Sequence, residues 1–227
     1  MTITIHNNVT QGSDEWLQMR CGLLTASEMK LILTPTLKVA NNDKTRAHLY
    51  ELLAQRITRY VEPMYVSDDM LRGQEDEFYA RQEYADRFGP VDEVGFITND
   101  RWGFTLGYSP DGLIGTDGLI EIKSRRQKYQ VQTFIENVTG GTVPVDYLMQ
   151  CQTALLVSER EWLDFISYSG GLPTAVVRVW PDDAVQGAII EAAAAFEAQL
   201  AEKLAIYAEA TAGLNPTERR VEQEMFV

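Results

Sequence analysis

Two acids and a lysine lie close together in the middle of the chain, on either side of a short turn. Asp111 follows Ser-Pro, and Glu121 and Lys123 come after the dipeptide Asp117-Gly118. Asp-Gly between alternating apolar residues is typical of a β-hairpin, which would bring the two acids together. Because side chains alternate along a strand, Glu121 and Lys123 would share a face while Ile122 points into the core.

A pair of carboxylates of this kind usually holds a cation or shares a proton. At ~4 Å, two such charges repel by about 4 kcal/mol at an effective dielectric of about 20. Oxygen ligands without histidine or cysteine favour Mg²⁺, with Mn²⁺ as a substitute, and the lysine would orient or deprotonate an attacking water. The pattern therefore indicates phosphodiester hydrolysis by metal-activated water. The alternative is a surface hairpin with ordinary charges, since a bare E-x-K is common.

The small number of histidines and cysteines argues against zinc and iron–sulfur sites. The chain has only His6, His48, Cys21 and Cys151. Four-cysteine zinc and iron–sulfur sites are therefore excluded within one chain, and a histidine-based zinc site is disfavoured. The cysteines lie far apart beside apolar or helix-forming residues, which indicates buried free thiols rather than a disulfide.

The net charge argues against an extended DNA-binding surface. The chain has 20 Lys and Arg against 33 Asp and Glu, a formal charge of −13, whereas affinity for DNA comes mainly from cations that neutralise phosphates. Charge can nevertheless be sorted between faces, and Arg125, Arg126 and Lys128 follow Lys123 closely. We therefore expect Arg125 and Arg126 to contact DNA while the acidic excess, heavy after Asp182, occupies other faces.

Several segments of the chain resemble the PD-(D/E)xK nucleases, and among them the phage lambda exonuclease type of viral recombination nuclease. Residues 20–28 (RCGLLTASE) resemble the family's R-x-G-x-[IL]-T-A-S-E, and residues 72–77 (RGQEDE) resemble its G-x-x-x-E. Five matching segments occur in the family's order: residues 20–28, 72–77, 109–113, 121–123 and 147–152. Agreement in order is far more specific than any one motif. After Lys123 the chain has Ser-Arg-Arg where the family has an apolar pair such as Cys-Pro, so the local loop is expected to differ.

The resemblance implies a metal site with further members. Lys123 would position the nucleophile, with Gln150 near the scissile group. The residues that would ligate or approach the metal are Asp111, Glu121, the carbonyl of Ile122 and, directly or through water, Glu77. Glu75 lies on nearly the opposite side of a helix from Glu77, and the spacing from Gly73 selects Glu77. The alternative for Gln150 is a solvent-facing amide.

The resemblance also implies a pocket for the 5′-phosphate of DNA, formed by Arg20, Ser27 and Ser109. Guanidinium and hydroxyl groups donate hydrogen bonds to phosphate oxygens. Residues 25–28 form the start of a predicted helix, where backbone amides face outward and can also bind an anion. Recognition of a 5′-phosphate turns a nuclease into a 5′-to-3′ exonuclease. The alternatives are that Arg20 pairs on the surface with Glu15 or Glu28, and that Ser27 is only a first-turn helix residue.

Periodicity and capping patterns predict the elements that position these residues. Helices are expected to begin at Ser13 and, through a capping box, at Thr25. The other predicted helices cover 44–60, 68–87, a segment from Tyr129, 145–158 and 182–210. The predicted strands are 91–98, 104–108, 112–114 and 119–123, as an antiparallel meander, followed by 162–168 and 175–180. We therefore expect an α+β fold with a central mixed β-sheet flanked by helices, a restriction-endonuclease-like core, in one nuclease domain over residues 1–227.

The function implied by the resemblance is degradation of one strand of linear duplex DNA from a 5′ end, releasing mononucleotides and leaving a 3′ overhang for recombination. A homotrimeric ring around DNA and a single-strand annealing protein as partner are implied as well. No segment has the ~20 apolar residues of a membrane span, and the amino terminus lacks a secretory pattern, so we expect a cytosolic protein.

Two other functions stay open at this point. A structure-specific or restriction-like endonuclease of the same superfamily would keep Asp111, Glu121 and Lys123 but would not need Arg20 and Ser27. A non-catalytic DNA-end-binding module would gain nothing from burying two carboxylates that repel each other.

Overall fold

The structure of the protein is a computed structural model that describes residues 2–63 and 66–219. The predicted domain of residues 1–227 extends beyond this described part. The residues outside the described part are 1, 64, 65 and 220–227. The helices are α1 (Asp14–Arg20), α2 (Asp43–Thr58), α3 (Asp68–Phe88), α4 (Gln127–Glu136), α5 (Val145–Ser158) and α6 (Asp183–Ala210), with 3₁₀ helices at Ala26–Leu31 and Val138–Gly140. The strands are β1 (Ile3–His6), β2 (Leu24–Thr25), β3 (Phe96–Asn99), β4 (Leu106–Tyr108), β5 (Gly112–Ile114), β6 (Gly118–Ser124), β7 (Trp162–Tyr168) and β8 (Ala175–Val179).

The strands form two mixed four-stranded sheets. The first has the order β1-β3-β4-β2, in which β2 and β4 are parallel and the other pairs antiparallel. The second has the order β5-β6-β7-β8, in which β6 and β7 are parallel. The α+β fold with mixed sheets flanked by helices is thereby confirmed.

The predicted mid-chain meander is wrong in one respect, because its strands divide between the two sheets. β3 pairs with β4 and β5 pairs with β6, but β4 and β5 are not neighbours. The chain between them contains Pro110, which has no N–H to donate to a β-ladder. Of the predicted strand 91–98, only the end from Phe96 pairs in the sheet, while Asp92 makes an isolated bridge to Leu113.

Helix α5 lies at the centre of the molecule. It contacts β3 and β4 of the first sheet, β7 of the second, and α6. The main apolar core accordingly combines residues of both sheets and of the surrounding helices, such as Leu106, Leu119, Leu155 and Phe196. A core shared in this way supports the prediction of a single domain, which stays a prediction.

The second sheet is covered on both faces, and this decides where the residues of β6 point. Ile120 and Ile122 pack with Ala80 and Tyr84 of α3. Leu119 belongs to the core on the α5 side. Since neighbouring residues of a strand alternate between faces, Glu121 and Lys123 lie on the α5 side, as their spacing predicted.

The helix starts follow local capping chemistry. The Ser13 side chain accepts a hydrogen bond from the Trp16 amide at 3.3 Å, and α1 begins after it. Thr25 and Glu28 form the predicted capping box, although the segment that follows is a 3₁₀ helix rather than an α-helix.

Candidate active site

Asp111, Glu121 and Lys123 meet at the junction of β4, β5 and β6. Asp111 directly precedes β5, and its Oδ2 accepts a hydrogen bond from the Ile122 amide at 2.5 Å. On β6, Lys123 Nζ donates to Glu121 Oε1 at 2.6 Å. The hairpin between β5 and β6 therefore brings the three groups together as their spacing predicted.

Glu121 is held from two further elements. Gln150 of α5 donates a short hydrogen bond to Oε1, and Tyr108 at the end of β4 donates its hydroxyl to Oε2 at 3.0 Å. The carboxylate is 1% exposed. The Gln150 amide group thus contacts the Glu121 carboxylate and is not simply solvent-facing, while its predicted place near a scissile group stays a prediction.

The electrostatics of the cluster are those of charges packed away from water. Burial, and after it the negative charge of Glu121, raise the pKa of the Asp111 carboxyl well above its ordinary value. Burial alone would lower the pKa of Lys123, but Glu121 and Asp111 together raise it above its ordinary value. The lysine is therefore an ammonium group that neutralises the acids in this arrangement.

Glu77 is not joined to the two acids. Its carboxylate forms a short ion pair with Arg81, one turn further along α3. Burial raises the pKa of Glu77, and the positive charge of Arg81 opposes this shift. Among the residues described, no three histidine, cysteine or acidic side chains form a ready metal site. The predicted contact of Glu77 with the metal stays a prediction that requires its carboxylate to leave Arg81.

The donor set nevertheless fits a hard divalent cation. Asp111 and Glu121 supply carboxylate oxygens on one pocket wall, and the charge of Glu121 opposes ionisation of Asp111. A cation bound between the two carboxylates would offset their repulsion and so favour the ionised form of Asp111. Oxygen ligands without histidine or sulfur favour Mg²⁺ or Mn²⁺ over zinc.

Arg20 lies in a cluster of hydroxyl groups beside these acids. Its Nη1 donates to Ser109 Oγ at 3.2 Å and its Nη2 to Thr25 Oγ1 at 3.3 Å. The guanidinium stacks 4.4 Å from the centre of the Trp16 ring. Within residues 2–63 and 66–219, Arg20 forms no salt bridge, so the surface pairing with Glu15 or Glu28 does not occur. Glu28 instead accepts hydrogen bonds from Thr25.

One pocket of about 200 Å³ combines the two groups of predicted residues. Its lining includes Asp111, Glu121, Lys123 and Gln150 together with Arg20, Ser27 and Ser109. Ser27 Oγ lies 3.3 Å from Thr25 Oγ1, on the side of Arg20. A cationic fork and hydroxyls can hold a phosphate here, next to the carboxylates that can hold a metal.

Arg125 and Arg126 do not line this pocket. They line a separate groove of about 740 Å³ that begins beyond Lys123. Arg126 is paired with Asp69 at 2.8 Å, and Arg125 donates to the Tyr147 hydroxyl at 2.8 Å. The structure therefore separates these two arginines from the predicted phosphate pocket, with which their groove shares no lining residue.

Three further residues contribute to the site although they lie outside the five motif segments. Trp16 donates its indole N–H to Ser109 at 2.9 Å, and its spacing of four from Arg20 along α1 was the available signal. Arg81 donates to the Asp111 carbonyl at 2.8 Å and pairs with Glu93 at 2.9 Å. Tyr108 directly precedes Ser109, but a buried tyrosine in a strand is ordinarily a core residue.

The chain is similar to known proteins in sequence and in fold. Residues 15–161 match the YqaJ-like viral recombinase domain. Two structures of the alkaline exonuclease LHK-Exo from Laribacter hongkongensis are similar over 89% of this chain and 100% of theirs. The first has 31% identity and a TM-score of 0.77, and the second, a complex with dAMP, has 32% and 0.78.

A phage-related exonuclease from Haemophilus somnus 129PT shares the fold at 12% identity, with a TM-score of 0.55 over 80% of this chain and 96% of its own. No curated protein sequence matched. The match to the recombinase domain covers more than half of the chain, in the region of the five motif segments. The chain therefore belongs to the family of proteins with a YqaJ-like viral recombinase domain.

Proposed function

We propose that this protein is a Mg²⁺-dependent 5′-to-3′ exonuclease that degrades one strand of linear double-stranded DNA to mononucleotides and leaves 3′ overhangs for recombination by strand annealing. Family membership and the likeness to the alkaline exonuclease make the chain a nuclease, a hydrolase that acts on DNA. The observation that carries the finer proposal is the single pocket that holds Arg20 beside Asp111, Glu121 and Lys123. That pocket has room for one phosphate group next to a cleavage site.

Each residue has a separable role in this proposal. Asp111, Glu121 and the carbonyl of Ile122 would hold Mg²⁺, with Mn²⁺ as a substitute, and Glu77 would contribute after leaving Arg81. The bound cation supplies Lewis acidity and lowers the pKa of its water. Lys123 orients the attacking water with its ammonium hydrogens, and Gln150 holds Glu121 and borders the scissile phosphate. Glu121 is fixed by Tyr108 throughout.

The pocket lined by Arg20, Ser27 and Ser109, which we name the 5′-end pocket, accounts for the direction of digestion. Arg20 would donate to two oxygens of the terminal phosphate, while Ser27 and Ser109 supply hydroxyl donors. The Trp16 ring holds the guanidinium plane in place. LHK-Exo has been seen in complex with dAMP, a nucleoside 5′-monophosphate, which is the kind of product that this proposal assigns to the enzyme. An endonuclease has no use for a pocket that recognises a chain end.

The partners of the enzyme belong to the same proposal. We keep as proposals a homotrimeric ring around DNA, a single-strand annealing protein as partner, and a cytosolic location. A ring with Arg125 and Arg126 near its channel would reconcile DNA binding with a net charge of −13. In the part of the chain that the structure describes, no helix is long and apolar enough to cross a bilayer.

The test is digestion of linear duplex DNA labelled at one end, with 5′-phosphate or 5′-hydroxyl termini, in Mg²⁺ or EDTA. We expect mononucleotides from phosphorylated 5′ ends in Mg²⁺ only, and loss of cleavage in Lys123→Ala. Arg20→Ala should reduce the preference for the phosphate roughly 10- to 100-fold, since a charge-assisted hydrogen bond contributes about 1.5–3 kcal/mol. Cleavage of circular DNA at internal sites would instead identify an endonuclease, and binding of ends without cleavage in any divalent cation would identify a binding module.

A further inference from the structure

The row of polar side chains on β6 continues beyond Lys123. Arg125 follows Lys123 by two residues, and its amide still donates to Tyr168 of β7 at 2.7 Å. Two residues of a strand advance by ~6.6 Å and return to the same face. The Tyr147 ring confirms the shared face, because Lys123 Nζ lies 5.7 Å and Arg125 Cζ 5.2 Å from its centre.

A chain of contacts gives this row a direction. Arg20 contacts Ser109, and the next residue back, Tyr108, contacts Glu121. Glu121 contacts Lys123, and Lys123 lies against the ring of Tyr147. The Tyr147 hydroxyl in turn accepts a hydrogen bond from Arg125. Arg20 and Arg125 therefore lie at opposite ends of the contacts, with the carboxylates between them.

The groove of about 740 Å³ begins at the Arg125 end and shares none of its lining residues with the 5′-end pocket. Its charged residues largely neutralise each other. Three arginines and three acids line it, and Asp69 accepts hydrogen bonds from both Arg72 and Arg126. Such a lining has no excess of positive charge that could neutralise many phosphates. Binding of DNA in this groove therefore has to depend on individual contacts between one cation and one phosphate.

Arg125 is the cation in this groove that retains binding capacity. Among the described residues it forms no salt bridge, and its Nε is buried without a hydrogen-bond partner. Its guanidinium lies 5.2 Å from the centres of the Tyr129 and Tyr147 rings, which limit its motion. Tyr129 is 41% exposed, so its ring also offers a stacking surface to the groove.

We propose that Arg125, held by Tyr147, binds the phosphate that follows the scissile phosphate on its 3′ side, and that the exposed Tyr129 ring stacks on a base of the same strand. This inference rests on the proposed exonuclease function. If the 5′-phosphate occupies the Arg20 end, the strand leaves the carboxylates at the other end of the row, where the groove opens. The next phosphate of that strand therefore lies on the Arg125 side of the carboxylates, away from Arg20.

The test pairs a protein variant with a change at one phosphate. Duplexes with a 5′-phosphate carry a neutral methylphosphonate either at the linkage after the first scissile bond or four linkages further on. Wild type, Arg125→Ala and Arg125→Lys are compared in single-turnover cleavage, from which apparent Kd and maximal rate are obtained separately. Arg46→Ala is the matched control, because Arg46 also lies over a tyrosine, Tyr50 at 5.3 Å, but on α2.

We expect the neutral linkage next to the cut to raise the apparent Kd of wild type roughly tenfold, the loss of about one charge-assisted hydrogen bond. The same linkage should have little further effect on Arg125→Ala, and Arg125→Lys should recover part of the wild-type Kd. The distant linkage should act equally on wild type and Arg125→Ala. Arg46→Ala should behave as wild type.

The inference would be overturned if Arg125→Ala and the adjacent neutral linkage raised the apparent Kd independently, so that their two factors multiplied. The exonuclease function would remain intact in that case. Failure of wild type to cleave, or equal cleavage of 5′-phosphate and 5′-hydroxyl ends, would instead overturn the proposed function on which it rests. Thermal unfolding of each variant shows whether an altered Kd reflects a damaged fold.

Discussion

At the scale of single residues, the proposed metal site is an arrangement that costs stability until a cation binds. A carboxyl with a raised pKa, such as Asp111, keeps its proton more tightly in the folded protein than in the unfolded chain. Its contribution to stability is therefore present below the ordinary pKa of 3.8 and is lost as the pH rises through the raised pKa. Glu77 shifts in the same direction. A divalent cation binds the charged forms and so offsets the loss at higher pH.

We expect Mg²⁺ to raise the melting temperature more at pH 8 than at pH 5.5. At about 100 times its Kd, a ligand contributes ~2.7 kcal/mol, which corresponds to roughly 5–10 °C for a chain of this size. Asp111→Asn should remove most of the Mg²⁺ effect and stabilise the metal-free protein at pH 8. Asp117→Asn, an exposed acid of the same hairpin, is the control. Equal shifts at both pH values in scanning calorimetry would contradict this account.

At the scale of elements, the end of α2 holds the turn that carries Arg20. The Gly22 amide donates to Gln55 Oε1 at 2.8 Å, and Arg56 Nε donates to the Gly22 carbonyl at 2.8 Å. Arg56 is in turn held by both carboxylate oxygens of Glu197 on α6, each at 2.7 Å. Both backbone groups of Gly22 are thus fixed by side chains, and α6 contributes to the pocket without touching it.

We expect Glu197→Gln to lower the free energy of unfolding by about 2 kcal/mol, between the ranges for exposed and buried ion pairs. Because the Gly22 turn follows Arg20, the variant should also lose part of its preference for 5′-phosphorylated ends, mainly through KM. Glu202→Gln, from an exposed pair with Lys203 on the same helix, should change neither quantity. Urea denaturation with end-specific kinetics checks both, and lowered stability at full selectivity would show a purely structural role.

The β5–β6 hairpin depends on a close approach at Gly118. A Cβ there would lie 2.2 Å from the Trp162 ring, whose other neighbour is Arg178 at 3.8 Å. The conformational freedom that the turn needs lies at Gly115, with φ +51. The Asp117-Gly118 pair thus marks the hairpin correctly, but its glycine serves packing.

Gly118→Ala should therefore destabilise the protein by about 1–3 kcal/mol, the usual range for overpacking. Since β6 carries Glu121 and Lys123, activity should fall with it. Gly187→Ala on α6, where an added Cβ meets nothing within 4 Å, should stabilise by up to ~1 kcal/mol. Chemical denaturation of the two variants provides the comparison, and a neutral Gly118→Ala would mean that Trp162 moves freely.

At the scale of the whole molecule, a net charge of −13 on a DNA enzyme calls for an arrangement that separates acidic and basic surfaces. The proposed ring provides this separation. We expect a mass in solution of three times 25.6 kDa, measured by light scattering after size exclusion, at low and at physiological salt. A mass of one chain under both conditions would remove the ring from the proposal and leave the pocket unaffected.

Local patterns in the sequence were sufficient for the longer helices, for the β5–β6 hairpin and for the shared face of its charged residues. The limits of α5, the capping box at Thr25, and the shared face of Glu121 and Lys123 all depend on neighbours within a few residues. Periodicity and capping chemistry report such neighbours directly. The ordered motifs added the expectation of a 5′-phosphate pocket at Arg20, Ser27 and Ser109, and these residues line one pocket with the acids.

Only the tertiary structure decided which distant groups compete for the same partner. Arg81 pairs with Glu77, Tyr108 reaches Glu121 from the other sheet, and the strands of the expected meander divide at Pro110. Arg125 and Arg126 were expected to contact DNA, and the structure places them in a groove separate from the pocket that holds Arg20. Such outcomes depend on how helices and sheets pack, and residues far apart in sequence leave no local periodicity that reports their contact. The sequence by itself therefore determined the chemistry of the site, and packing determined its geometry.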